Sequence, residues 1–342
     1  MSREDILKEL SKVKYPGLDK SILQMKVVDD IAVDKKGSVT ITLSMQNDEA
    51  YTLLEAQLRD LFGDSVKIER KAASKKSINY GNTANPNNRA PYAKKVLAVT
   101  SGKGGVGKST VSVNLAVTLA QKGYAVGLLD ADVYGPNIPR MTGTAHEKLR
   151  WSEKDRIIPS ENFGIKIMSV GLTTPSSDTP LVWRSSVAVS ALIQFLEDVE
   201  WGELDFLVID MPPGTGDIQL TMAQELPIAA GIIVTTPQPV ALDDVSRAIM
   251  MFKDIGVPIG GLIENMSYFI APDTKKRYDI FGRGGGENTA KRYDIPFLGK
   301  IPLDMQIREF SDDGTPAVAM GDKLQKGYYK NIVENLLKEI EK

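Results

Sequence analysis

The chain reads as an α/β protein: a P-loop fold with a mainly parallel sheet and helices on both faces, preceded by a small α/β domain. Three observations predict it. Val96 to Thr100 is a short apolar run, Ser101 to Gly107 a loop with four glycines, and Ser109 to Lys122 carries Val113, Leu115, Ala116, Leu119 and Ala120 at helical spacing. Beyond this strand–loop–helix unit, apolar strands keep alternating with helical patterns, the signature of a parallel sheet. Ahead of it, residues 1–70 spell out a helix, hairpin, helix and strand of their own.

Gly102, four further residues, Gly107, Lys108 and Ser109 satisfy the P-loop pattern, and the flanking strand and helix are the context that confirms it. A triphosphate is a dense anion best met by backbone. Gly102, Gly104, Gly105, Val106 and Gly107 allow that close approach, and the positive end of the following helix adds to the attraction. Lys108 is expected to reach the outer phosphates. The Ser109 hydroxyl is expected to ligate Mg²⁺, with Thr110 completing the nucleotide-binding stretch.

Composition narrows the classes. The 342 residues are 42% hydrophobic and 25% charged, enough for a sizeable core and more than one domain. The net charge is −2, so no global field draws the chain to nucleic acid or anionic membrane, and neither is expected as a partner. The first ten residues, MSREDILKEL, are charged where a signal peptide would be apolar, and no apolar run approaches a membrane span. A cytoplasmic address is expected. There is no cysteine, which removes disulfides, thiolate nucleophiles and Cys-held metals, and the single histidine, His146, reads as a solvated loop residue.

In chain order, Ile6, Leu7, Leu10 and Val13 predict a short helix. Met25 to Val33 and Ser38 to Met45 predict a hairpin turning at Lys35-Lys36-Gly37; Tyr51 to Phe62 a second helix; Ser65 to Arg70 a last strand. Residues 71–95 are rich in Asn, Ser, Ala and Pro without an apolar period, and read as a flexible linker. The domain from 96 to 342 follows. Its strands are predicted at Tyr124 to Leu129, Leu204 to Ile209, Gly231 to Thr235, Val257 to Ile263 and Phe297 to Ile301. The closing helix, Gln325 to Glu341, mixes acids and lysines on its polar face, so packing on the sheet is favoured over membrane contact.

In open α/β sheets ligands bind beyond the carboxyl ends of the strands. Asp210 closes one apolar strand, where a carboxylate serves phosphate-bound Mg²⁺, and Asp132 follows another, where it can orient or deprotonate the attacking water. Asp217 sits beyond the turn Pro212-Pro213-Gly214-Thr215-Gly216, which is suited to move when a phosphate leaves. Turn or helix capping is the competing role for Asp130, Asp132 and Asp217. Lys103 is a second lysine in the loop, placed to reach a nucleotide held by a second subunit, as an arginine finger does. No Asn-Lys-x-Asp guanine-reading sequence is present, which disfavours a GTPase.

The stretch SGKGGVGKST, with its additional Lys103, resembles the deviant Walker A motif of the ParA/MinD/nitrogenase-iron-protein class of ATPases. More narrowly, LLDADVYGPNIPRM, VIDMPPGTGD, ENMSYF and DIFGRGGGE resemble the Mrp/ApbC family of iron–sulfur cluster carriers, a likeness that runs from Val96 to the C-terminus. The N-terminal unit resembles, more weakly, an iron–sulfur assembly-type domain. The resemblance implies an ATP-dependent homodimer acting in cluster assembly or transfer to apoproteins. It implies Lys103 touching the partner's nucleotide, Asp132 orienting water, Asp210 near Mg²⁺ and Asn265 reading the adenine base. Arg283 and Gly284 to Gly286 belong to a family motif without a derived role.

One departure bears on mechanism. Cluster-carrying members have a Cys-x-x-Cys pair shortly after MSYF, and the aligned positions here are Ala271 and Thr274. Neither a methyl nor a hydroxyl group replaces a thiolate as an iron ligand. After Trp183-Arg184 the family continues Gly-Pro whereas this chain has Ser185-Ser186, which leaves Arg184 without an assigned role. The leading reading is an Mg-dependent ATPase of the cluster-carrier family whose cluster work needs ligands from a partner or small thiols. The alternative is a nucleotide-switched partner-binding or positioning ATPase without cluster cargo.

Overall fold

A computed structural model of the chain describes residues 3–14, 21–23, 27–33, 39–44, 48–63, 66–71, 88–173 and 185–341. Two units divide it, Met1–Ile78 with Lys253–Ile255, and Asn79–Phe252 with Gly256–Lys342.

The first unit contains α1 (Arg3–Leu10), β1 (Val28–Val33), β2 (Val39–Ser44), α2 (Asp48–Phe62) and β3 (Val66–Lys71). Its sheet runs in the order β1-β2-β3, antiparallel at the first pairing and parallel at the second. The alternation that predicted β2 is the reason it holds: Val39, Ile41 and Leu43 are buried together with Leu54 and Leu58 of α2 and Ile6 and Leu10 of α1. The expected Lys35-Lys36-Gly37 turn lies outside the described residues.

The second unit is built on β4 (Ala93–Ser101), β5 (Val126–Asp130), the small hairpin β6 (Arg150–Trp151) and β7 (Ile157–Ile158), β8 (Ser160–Asn162), β9 (Ile165–Ser169), β10 (Leu204–Asp210), β11 (Ile228–Thr235), β12 (Ile259–Glu264), the hairpin β13 (Phe269–Ile270) and β14 (Arg277–Tyr278), and β15 (Phe297–Lys300). Its helices are α3 (Lys108–Gln121), α4 (Ile138–Met141), α5 (Ser185–Asp198), α6 (Asp217–Glu225), α7 (Pro239–Asp254), α8 (Gly285–Arg292), α9 (Met305–Asp312), α10 (Ala317–Met320) and α11 (Lys323–Ile340). The main sheet has the order β15-β12-β11-β4-β10-β5-β9-β8, with every pairing parallel except β8 on β9.

Strands covered on both faces must be apolar throughout rather than alternating, which is why β4, β10 and β11 read as continuous hydrophobic runs. One face carries Leu97, Val99, Val208 and Ile232 into a core with Leu115 and Val117 of α3 and Ile332, Val333 and Leu336 of α11. The other receives α7, whose Phe252 lies so close to Gly231 that a Cβ there would meet the ring at 2.7 Å. Asp322 caps α11 and Gln325 closes the box, so the final helix is fixed at its start as well as along its buried side.

Residues 88–95, read above as the end of the linker, are built into this unit. β4 starts at Ala93 because Ala93 and Lys95 pair with Leu204 and Phe206 of β10, and Lys94 Nζ lies 2.8 Å from Asp205 Oδ1. Arg89 bonds both Glu197 and Glu225, and Ala90 is fully buried. Those partners lie more than a hundred residues away, beyond the reach of a local compositional reading. No helix among the described residues is long and apolar enough to cross a membrane.

Candidate functional site

The parallel strands β4, β5, β10, β11 and β12 end at one edge of the sheet, and the polar residues singled out above follow those ends. The loop after β4 turns into α3 through Gly107, whose φ of 80° is a left-handed conformation. A Cβ at Gly107 would stand 2.2 Å from Asn265 Nδ2, so glycine is required there on two grounds. No side chain caps α3, which leaves the first amides of the helix, including those of Lys108, Ser109 and Thr110, without an intrahelical partner. Such a terminus attracts anions.

Behind the loop lies a buried polar cluster. Lys108 Nζ is 2.8 Å from Asp210 Oδ1 and 3.9 Å from Asp132 Oδ2. The Ser109 hydroxyl donates to Asp210 Oδ2 at 2.6 Å, and that of Ser112 to Asp210 Oδ1 at 2.6 Å. Asp210 is wholly buried, and an ammonium and two hydroxyls are what make a carboxylate tenable there. Asp130 sits directly opposite Asp210 in the β5–β10 register. Burial first, then the neighbouring Asp210 charge, push the Asp130 carboxyl well above the usual carboxylate range, against the donors Ser169 Oγ and the Ile138 amide. Asp130 also accepts from the Asp132 N–H at 3.1 Å, which fixes the start of the loop carrying Asp132. Burial raises the Asp132 carboxyl as well, and the Lys108 charge partly offsets this.

The remaining expected residues fall around this cluster. Lys103 Nζ is 3.4 Å from Gln238 Oε1, and its carbonyl accepts from Ser101 Oγ at 2.9 Å. The turn after Asp210 is braced, since Gly214 N–H donates to the Ser101 carbonyl at 2.8 Å and Gln219 Nε2 to the Pro213 carbonyl at 2.6 Å. Asn265 is buried and donates through Nδ2 to the Val106 carbonyl at 2.8 Å. Arg283 is exposed on the loop before α8, as is His146 in its own loop. Asp217 opens α6, though its side chain, like all of Arg184, lies outside the described residues.

Ser112, Gln219, Gln238 and Glu264 were not singled out from the sequence. Ser112 had a signal, since a residue four after Lys108 shares its helix face. The others meet the site only through the tertiary fold.

Magnesium, which a P-loop implies, fits the oxygens present. Ser109 Oγ and the Asp210 carboxylate are hard donors 2.6 Å apart beside the lysine. Among the described residues no group of three His, Cys, Asp or Glu side chains is placed to hold a metal ion, as suits an ion that takes one or two protein carboxylates and shares the rest of its shell with phosphate and water. An iron–sulfur cluster does not fit. In the turn between β13 and β14, Ala271 spends its N–H on the Lys276 carbonyl and its carbonyl on Lys275 N–H, Thr274 is exposed, and the whole chain lacks sulfur of the thiolate kind.

Comparison with known proteins decides the family. Residues 92–337 match the family described as ParA: NUBPL iron-transfer P-loop NTPase. This chain belongs to that family. A member from Synechocystis sp., named iron–sulfur cluster carrier protein, is 42% identical over 333 residues, covering 93% of this chain and 92% of its own. One from Aquifex aeolicus with the same name is 51% identical over 230 residues, 67% of this chain and 63% of its own length. A solved nucleotide-binding protein from Archaeoglobus fulgidus, in complex with ADP, is 37% identical with a TM-score of 0.61, over 70% of this chain and 94% of that one. The NUBPL/Mrp assignment covers the whole sheet, the P-loop and the acid cluster, and the P-loop fold expected from the sequence is the fold found.

Proposed function

We propose that this NUBPL/Mrp-family chain hydrolyses ATP with Mg²⁺ as a homodimer and uses that cycle in assembling or transferring iron–sulfur clusters to apoproteins. The Lys108–Asp210–Ser109 arrangement, buried at the start of α3, carries the reading. Lys108 exchanges its bond to Asp210 for the outer phosphates, while the amides at the start of α3 bind the same groups. Ser109 and Asp210 are the residues that would hold Mg²⁺, which when bound offsets charge developing on the phosphate oxygens. Asp132 orients the attacking water, and its raised affinity for a proton suits it to receive one. Lys103 contributes a cation to the nucleotide of the second subunit. Asn265, anchored to Val106, keeps a carbonyl oxygen and one N–H for the adenine edge.

The cluster is cargo, and its ligands come from a partner protein or small thiols rather than from this chain. Residues 1–70 are read as a separate small domain ahead of the ATPase. An ATPase without cluster cargo finds no support among the relatives' names. The test combines two assays on the full chain: ATP turnover with and without Mg²⁺, and delivery of a glutathione-held cluster to an apo-ferredoxin with and without ATP. Turnover that needs Mg²⁺ and ATP-stimulated delivery are expected. Turnover without any effect on delivery would remove the carrier role.

A further inference from the structure

Two consecutive residues at the end of β12 hold different parts of the site. Asn265 reaches the Val106 carbonyl of the P-loop at 2.8 Å. Glu264, wholly buried, accepts from Ser267 Oγ at 2.5 Å through Oε1 and from the Gly286 N–H at 2.6 Å through Oε2. Ser267 stands at the start of the excursion that forms the β13–β14 hairpin, and Gly286 at its end, in the first turn of α8. One carboxylate therefore clasps both ends of that excursion.

The local sequence is shaped for this clasp. The Gly286 N–H is one of the orphan donors of a helix start, and a carboxylate there also meets the favourable end of the helix dipole. A Cβ on Gly286 would lie 3.0 Å from Glu264 Oε2, and one on Gly285 would lie 2.7 Å from the Pro237 carbonyl oxygen, so α8 reaches β12 only through glycines. Met266, between the two arms, takes a φ of 51°, turning the chain out of the sheet immediately after Asn265. The Ser267 N–H then donates to the Ile301 carbonyl at 2.9 Å. The two motif stretches around Glu264 and Gly286 are thus halves of one joint.

We propose that Glu264 is a positioning residue that makes the base of the 267–286 excursion one piece with Asn265, so that nucleotide in the P-loop is sensed at the hairpin. The inference rests on the nucleotide-binding reading above. The Val106 carbonyl belongs to the loop that closes on phosphate, so any resettling of that loop acts on Asn265 and, through one peptide bond on each side, on Glu264 and Met266.

Hydrogen exchange of the full chain, with and without Mg-ATPγS, tests it, alongside nucleotide affinity measured with a fluorescent ADP analogue. In the natural chain nucleotide is expected to slow exchange across residues 268–280 by about fivefold or more. Ser267→Ala, which removes one arm, is expected to abolish that response while affinity changes by less than about twofold. Glu264→Gln is expected to lose the response at both the hairpin and α8; if it does not fold, Ser267→Ala alone decides. A brace of purely structural kind would leave the nucleotide response intact. Tight nucleotide binding with an unresponsive hairpin, or a Ser267→Ala chain that responds like the natural one, overturns the clasp alone. Absence of nucleotide binding overturns the functional reading and the clasp with it.

Discussion

The P-loop edge of the sheet and the β13–β14 hairpin are far apart in sequence, meet through the Asn265–Val106 bond, and are furnished differently. At the first, Lys108, Ser109 and Ser112 all direct their polar atoms to the buried Asp210 carboxylate, beside the uncapped start of α3. At the second, the turn holds Ala271 and Thr274, which offer no thiolate, among Lys275, Lys276 and an Arg277 that stacks on Tyr268 and pairs with Asp279. On the proposed function, the contrast teaches that the nucleotide engine and the grip on cargo are separate pieces of this fold, with this chain supplying residues for the first and leaving the second to a partner's or small-molecule thiols.

Variants can break the contrast at the engine. Lys103→Ala is expected to have the largest effect, lowering kcat by about a thousandfold as for loss of an arginine finger, with ATP affinity little changed. A turnover within tenfold of the natural chain would remove its role across the dimer. Asp132→Asn should lower kcat by roughly a hundredfold or more, the usual worth of a general base, with KM for ATP preserved in steady-state assays. Lys108→Ala is expected to weaken ATP binding by about a hundredfold, through loss of a charged hydrogen bond worth up to about 3 kcal/mol. The same change leaves Asp210 buried without its cation, so chemical denaturation should show a loss of about 3–5 kcal/mol. Asn265→Ala should give the smallest effect, about tenfold less preference for ATP over GTP in competition binding, for one lost base contact. An unchanged preference would leave Asn265 with its loop-bracing bond alone.

Much of the engine was legible because its signals are local. Continuous apolar runs marked β4, β10 and β11, and the spacing from Gly102 to Ser109 marked the loop. Acids at strand ends pointed to Asp132 and Asp210, which the structure brings to Lys108. Joints made between distant segments left no such mark. The Asn265–Val106 bond spans 159 residues, and the Arg89–Glu225 pair that pulls residues 88–92 into the second unit spans 136. The short strand β9 went unread since Ile165–Ser169 interrupts its apolar run with Lys166, which is only half-buried and donates to the Trp201 carbonyl. The glycines at 284–286 could be recognised as a motif, but their reason appears only when Glu264 and Pro237 are seen against them.

The separation of engine from grip is tested most directly by anaerobic reconstitution with iron and sulfide, read by iron content and visible absorption, on the natural chain and on Ala271→Cys/Thr274→Cys. The natural chain should hold ATP yet retain no cluster after desalting, and the double variant should retain one bridging each pair of chains. Stoichiometric cluster retained by the natural chain without added thiol or partner would contradict the account.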